Sequence, residues 1–319
     1  MSSELDLQEY DLPDDIKPVW WKHIVLFVLA CVTTSMAGMF FAGGKAFSLE
    51  DWSNPDMMWP ALGYSFCVML ILFSHEMGHY LQAKRYKVPV SPPYFIPGLP
   101  IPTMGVLPMI GTFGAVIRME LKPLRALPLL RIGAWGPIAG FIVTVPVMIL
   151  GMYLSDIRPL PPEDSGAFQL GDSLLMMMST KLFFEVPPAG HDVFVHPVGM
   201  AGWTGCLLTS INLLPFGQLD GGHIAYTVFG ERFNKAVPWM YALFIIMGLG
   251  VSTSWLGLAL LVYFIGVKHP PILRGGTVQG ADRTLAVVSL VVMILTFSFQ
   301  PIVMPSLLEM LFDYLLQLS

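Results

Sequence analysis

Charge is scarce in this chain. Asp, Glu, Lys and Arg make up 12 % of its 319 residues, about half the share near 25 % that a soluble domain carries. The charge that is present leans negative. Seventeen Lys+Arg against 22 Asp+Glu leave a net charge of −5, which excludes a nucleic-acid binder built on a basic stripe. Cysteine is nearly absent too: Cys31, Cys67 and Cys206 are the three, each inside an apolar run. That excludes a disulfide-stapled secreted domain and leaves them as small packing residues. The first eighteen residues are acidic and lack a basic n-region, so they do not resemble a cleaved signal peptide. Apolar residues, by contrast, reach 55 %, with a mean hydropathy of +0.66. Disorder and collagen-like fibres are excluded on the same numbers. The composition is that of a membrane protein crossing the bilayer several times.

Uncharged stretches predict the crossings, since a spanning helix needs about 20 mostly apolar residues. They lie at 24–44, 57–74 (the helix continuing into 75–80), 132–155, 196–215 and 284–300, with a further uncharged run at 236–267. That run is long for one crossing and divides at Gly250-Val251-Ser252-Thr253-Ser254 into two. The expected fold is therefore an all-α polytopic membrane protein with about seven transmembrane helices. Charge asymmetry supports the division: with the N-terminus in the cytoplasm, 14 of the 17 basic residues fall inside, leaving Lys45, Arg158 and Lys181 outside. Residues 1–22 read as an acidic cytoplasmic tail, 23–300 as the membrane domain with its core at 57–230, and 301–319 as an amphipathic segment lying on the surface. The loop 156–192 is acidic, with an apolar piece at 173–180 expected at the interface.

One apolar run breaks the pattern. Residues 88–117 carry no charge but hold seven prolines, each costing about 3 kcal/mol inside a helix. They read as a re-entrant loop leading into a short strand at 109–117, between the second and third crossings. Non-helical backbone at membrane depth is tolerated where it is buried in protein or lines a wet cavity, so a site is expected nearby.

The second crossing ends in His75-Glu76-Met77-Gly78-His79, an HExxH. Residues i and i+4 share one helix face, so both imidazoles reach one zinc ion while the intervening carboxylate can hold a water. Ionisable groups at the end of an apolar helix are costly and functional by default. A zinc site with one open position needs a third protein ligand. Asp220 is the candidate, the lone acid between Asp192 and Glu231 in a Gly- and Pro-broken stretch. The topology brings both motifs to the cytoplasmic side. His223, one turn past Asp220, suits a supporting or helix-start role; His196 and His269 read as boundary residues, His23 and His191 as solvated. Asn212 would be an expensive buried amide without a partner or a substrate.

HEMGH on a membrane helix, followed by Asn212-Leu213-Leu214-Pro215-Phe216-Gly217-Gln218-Leu219-Asp220-Gly221-Gly222-His223, resembles the site-2 protease family of intramembrane zinc metalloproteases. Gly136-Pro137-Ile138-Ala139-Gly140 resembles that family's glycine–proline packing segment. Gly111-Thr112-Phe113-Gly114-Ala115 resembles the strand before it in the bacterial and chloroplast branches. The resemblance covers about 57–230. It implies one Zn²⁺ per chain on His75, His79 and Asp220, Glu76 as the catalytic residue, and Asn212 beside the substrate; the strand edge itself offers Gly111, Thr112, Phe113 and Gly114 as further substrate-binding residues. It also implies a transmembrane protein substrate, a lipid bilayer as solvent, and no nucleic-acid or nucleotide partner. No inserted PDZ-like module and no C-terminal nucleotide-binding tail are evident, which leaves substrate selection open.

The implied activity is zinc-dependent hydrolysis of a peptide bond within or near a transmembrane segment, with Glu76 taking the proton of the attacking water. The substrate helix must unwind first, and the glycines of 111–117 leave room for it to add as a strand. A di-iron desaturase would need several His-rich boxes, which seven scattered histidines do not supply. A catalytically silent chaperone or retention protein of the same family is the alternative; loss of Glu76 or a ligand would mark it, and all four residues are present.

Overall fold

Asn54 and Pro55 start the helix on which everything else is mounted. In the computed structural model, which describes residues 16–99, 109–119, 126–162, 169–270, 272, 277–301, 303 and 305–311, helix α1 spans Trp20–Phe41 and a one-turn α2 spans Leu49–Ser53. Helix α3 then runs from Pro55 to Arg85, 31 residues. The Asn54 side chain accepts from the Asp56 N–H, proline occupies the first turn, and Lys84 and Arg85 sit in the last turn against the negative end of the dipole. Strands β1 (Tyr94–Pro97) and β2 (Thr112–Val116) follow, then α4 (Ala126–Tyr153), β3 (Asp156–Pro159), α5 (Leu174–Phe183) and β4 (His191–Phe194). Helices α6 (Pro197–Leu213), α7 (Asp220–Phe229), α8 (Glu231–Gly250), α9 (Ser254–Ile265) and α10 (Ala281–Thr296) complete the order.

A helix forms at every stretch expected to cross, and 236–267 breaks where its Gly-Val-Ser-Thr-Ser sequence suggested, between α8 and α9. Among the described residues, four helices are long and apolar enough to span a bilayer: α1, α3, α4 and α8. Together they make this an integral membrane protein. Helices α6, α9 and α10 are shorter, at 17, 12 and 16 residues.

The fold is not purely helical. β1 pairs antiparallel with β2, Tyr94 opposite Val116, and β3 with β4, Asp156 opposite Phe194. The strand at 112–116 was expected. Its partner was not, because Pro92, Pro93 and Pro97 read as loop, and proline is tolerated at such edge positions. The β3–β4 pair, joined through α5, has no signature in the sequence: β3 is exposed throughout, β4 in its first half, and neither shows the alternation that marks a half-buried strand. The apolar piece of that loop is helix α5, capped by Ser173. Residues 1–15, Pro108, 302, 304 and 312–319 lie outside the described residues, and with them most of the N-terminal tail and about half of the amphipathic segment.

Small residues let the central helices touch backbone to backbone. A Cβ on Gly38 of α1 would overlap Ala61 of α3, one on Gly78 of α3 would overlap the Trp135 carbonyl of α4, and one on Gly151 of α4 would overlap Gly199 of α6. The main core gathers around these crossings, with Tyr64, Val68, Ile71, Met148, Ala201 and Trp203 buried together.

Candidate metal centre

The HExxH occupies the last turns of α3, and α4 crosses it at its glycines. His75, Glu76 and His79 are all buried. Gly140 passes the His75 side chain so closely that a Cβ would lie 3.2 Å from His75 Cβ, and a Cβ on Gly136 would overlap the His79 ring. The glycine–proline segment is thus the surface that lets α4 reach the histidines.

His79 has its tautomer fixed by α4. Its Nδ1 donates to the Ile132 carbonyl at 2.8 Å, which leaves the lone pair on Nε2. That nitrogen lies 3.1 Å from His75 Nε2, and Asp220 Oδ2 stands 3.4 Å from His75 Nε2 and 3.3 Å from His79 Nε2. Among the described residues this is the metal-capable group of His, Cys, Asp and Glu side chains. Tetrahedral zinc with bonds of about 2.0–2.1 Å spaces its ligands about 3.3–3.4 Å apart. The three donors fit zinc.

Asp220 reaches the histidines because the chain turns twice in a few residues. α6 ends at Leu213, Gly217 takes a positive φ of 47°, and α7 begins at Asp220 itself. Side chains at 221 and 222 would overlap the carbonyls of Leu213 and Gly217, so the Gly-Gly pair is required for α7 to fold back on α6. The carboxylate sits in the first turn of α7, at the positive end of its dipole. Burial would raise its pKa, but His79 and His75 more than offset this and hold it below the usual carboxylate range.

Asn212 joins the same centre, its Nδ2 3.3 Å from His75 Nε2. The expected strand residues divide. Gly111 has φ 79°, and the space beside it is filled by Thr33 and Ala37 of α1. Thr112 is buried, its hydroxyl donating to Ile96 O at 2.8 Å. Phe113 is 51 % exposed, and among the described residues nothing lies within 4 Å of a Cβ placed on Gly114. The free room is at 113–114, not at 111.

His269 stands just past the end of α9, the boundary position expected of it, and is also buried, its Nε2 2.7 Å from His223 Nδ1. His23 is buried rather than solvated, donating Nδ1–H to Pro93 O at 2.9 Å and stacked on Tyr94 at 4.0 Å. Nothing in the local sequence signals either partner. His196 does cap α6, accepting from the Val198 N–H at 3.2 Å, and His191 is exposed.

The family model of peptidase family M50 matches residues 63–256, a span containing both motifs. The chain belongs to peptidase family M50. This is the site-2 protease family that its motifs resemble. It is 32 % identical over 245 residues to probable zinc metalloprotease EGY1, chloroplastic, of Arabidopsis thaliana, covering 74 % of this chain and 42 % of that one. To probable zinc metalloprotease EGY2, chloroplastic, of the same plant it is 28 % identical over 190 residues, 58 % of this chain and 32 % of that one. The chain thus spans less than half the length of these relatives. No solved structure matches it.

Proposed function

We propose that this protein is a zinc metalloprotease that cuts a peptide bond within or near a transmembrane segment of a membrane-protein substrate. The observation that carries the reading is the convergence of His75 Nε2, His79 Nε2 and Asp220 Oδ2 within 3.1–3.4 Å of one another at the end of an apolar helix. In this reading those three atoms hold the ion. When bound, zinc acidifies water and polarises the scissile carbonyl. Glu76, buried next to the ligand His75, takes the proton of the attacking water and returns it to the leaving amine. Asn212, already within reach of the His75 nitrogen, offers an amide to the substrate backbone.

Strand β2 supplies the docking edge. Its start is fixed beside α3 about a third of the way along that helix, where Tyr64 donates to the Ile110 carbonyl at 3.0 Å. Beyond its end, Ile117 joins the apolar cluster of Tyr80, Ala83 and Ile132. Along α3, Tyr64 to Tyr80 is about 24 Å at 1.5 Å per residue; along an extended chain, 110 to 117 is about 23 Å. The strand therefore descends beside the helix, and its 113–116 portion approaches the level of the histidines. A substrate helix hides its carbonyls, so it must be unwound before cleavage; addition to the open edge at Phe113 and Gly114 would hold the unwound strand. In the same reading α6, α9 and α10 complete seven crossings, the β1–β2 hairpin is re-entrant, and residues 1–22 and the metal end face the cytoplasm. Residues 23–300 are then one protease domain with its core at 57–230.

The test is zinc analysis of purified protein together with hydrolysis of a model transmembrane substrate. Wild type should hold about one zinc and cleave. Glu76→Gln should keep the metal and lose cleavage. Retention of a tenth of wild-type cleavage in that variant would remove Glu76 as the base.

A further inference from the structure

Helix α7 is poorly equipped to hold its own orientation. It has 10 residues, and among the described residues no side chain caps its start at Leu219. Glycines at 221 and 222 each cost about 1 kcal/mol relative to alanine, and helices this short are marginal alone. Yet its first residue carries the carboxylate that must stay within 3.4 Å of two histidines.

A strap from farther along the chain supplies the hold. Gly217 donates its N–H to Val267 O at 3.1 Å, and a Cβ there would overlap the Gly266 carbonyl. Two residues on, His269 is clamped from both sides of its backbone: its N–H donates to Asn234 Oδ1 at 3.1 Å, and its carbonyl accepts from Asn234 Nδ2 at 2.9 Å. Its ring stacks on Tyr226 of α7 at 4.5 Å. Because Nδ1 donates to Pro270 O at 2.6 Å, Nε2 carries the lone pair and accepts the His223 Nδ1–H at 2.7 Å. His223 stands one turn past Asp220, and a Cβ on Gly133 of α4 would lie 3.3 Å from its own Cβ. The strap lies beyond residue 256, where the family match ends.

We propose that His269 is a positioning residue for the metal centre: by accepting the His223 Nδ1–H it fixes the rotation of α7 and so holds the Asp220 carboxylate at the ion. This rests on the reading of His75, His79 and Asp220 as zinc ligands.

The test uses the full chain in detergent, with zinc affinity measured by chelator competition and the ligand field read from Co²⁺ absorption. His269→Phe keeps a ring to stack on Tyr226 but offers no acceptor; His269→Gln places an oxygen near the lost nitrogen. The Phe variant should bind zinc at least about tenfold more weakly, the order seen for outer-shell partners of metal sites, with a shifted Co²⁺ spectrum. The Gln variant should stay within about threefold of wild type, with the wild-type spectrum. A merely structural residue would not give that acceptor-specific rescue. Wild-type affinity and spectrum in His269→Phe would overturn the proposal, as would equal loss in both variants. Asp220→Ala is the control. If it loses zinc while His269→Phe does not, the inference fails and the ligand reading stands; if it binds like wild type, the ligand reading itself fails.

Discussion

Gly136 and His79 meet across two helices so closely that any side chain at 136 would occupy the space of the imidazole. The ring cannot simply turn aside, because its Nδ1 is held by Ile132 O at 2.8 Å, one turn earlier on the same α4. The helix that anchors the ligand also sets its clearance. Gly136→Ala should therefore displace His79 or push α4 off α3, and overpacking of this kind costs about 1–3 kcal/mol. Zinc occupancy of the purified variant should fall well below wild type. Gly140→Ala, whose Cβ would lie 3.2 Å from His75 Cβ, should cost clearly less. Equal occupancy in both variants would contradict this ordering.

Asp220→Asn removes the negative charge of the third donor while keeping its shape. Zinc should be retained more weakly, with helical circular dichroism unchanged. The His75→Ala, His79→Ala double variant should bind none; wild-type occupancy in it would refute the assignment.

Along β2, cysteines placed at 112 to 116 should crosslink to a bound substrate with a period of two, because alternate side chains point to opposite faces of a strand. Phe113→Pro should reduce cleavage steeply with zinc content unchanged, since it removes a backbone donor from an edge far in sequence from the ligands. Uniform crosslinking would place the substrate elsewhere.

Acid should weaken the fold through His223. Burial, against the opposing charge of Asp220 and with a smaller contribution from His269 and His79, pushes its pKa down from 6.5 to about 4. The unfolded chain therefore takes up a proton near pH 6.5 that the folded chain takes only near pH 4. The stability this histidine contributes is full above about pH 6.5 and falls as pH drops toward 4. Thermal unfolding in chelator, compared between wild type and His223→Gln across that window, should show a shallower pH dependence in the variant. Parallel curves would mean that His223 is not the group responsible.

The sequence by itself determined the membrane class, the breaks between apolar segments, and the two motifs that carry the ligands, because each is a local property. Hydropathy sets a helix where charge is missing, and HExxH puts two imidazoles on one face through the 3.6-residue period alone. Even the division of 236–267 between α8 and α9 followed from its Gly-Val-Ser-Thr-Ser break. What joins distant segments was decided only by tertiary structure. β1 stayed hidden because its prolines argue against a strand until β2 lies beside it. Gly111 looked like room for a substrate until α1 filled that room with Thr33 and Ala37. His269 looked like a helix boundary, yet it reaches His223 across 46 residues of chain. A hydrogen bond between such positions leaves no periodic trace in the sequence, since it depends on where the segment after α9 passes α7 and not on what stands next to each residue.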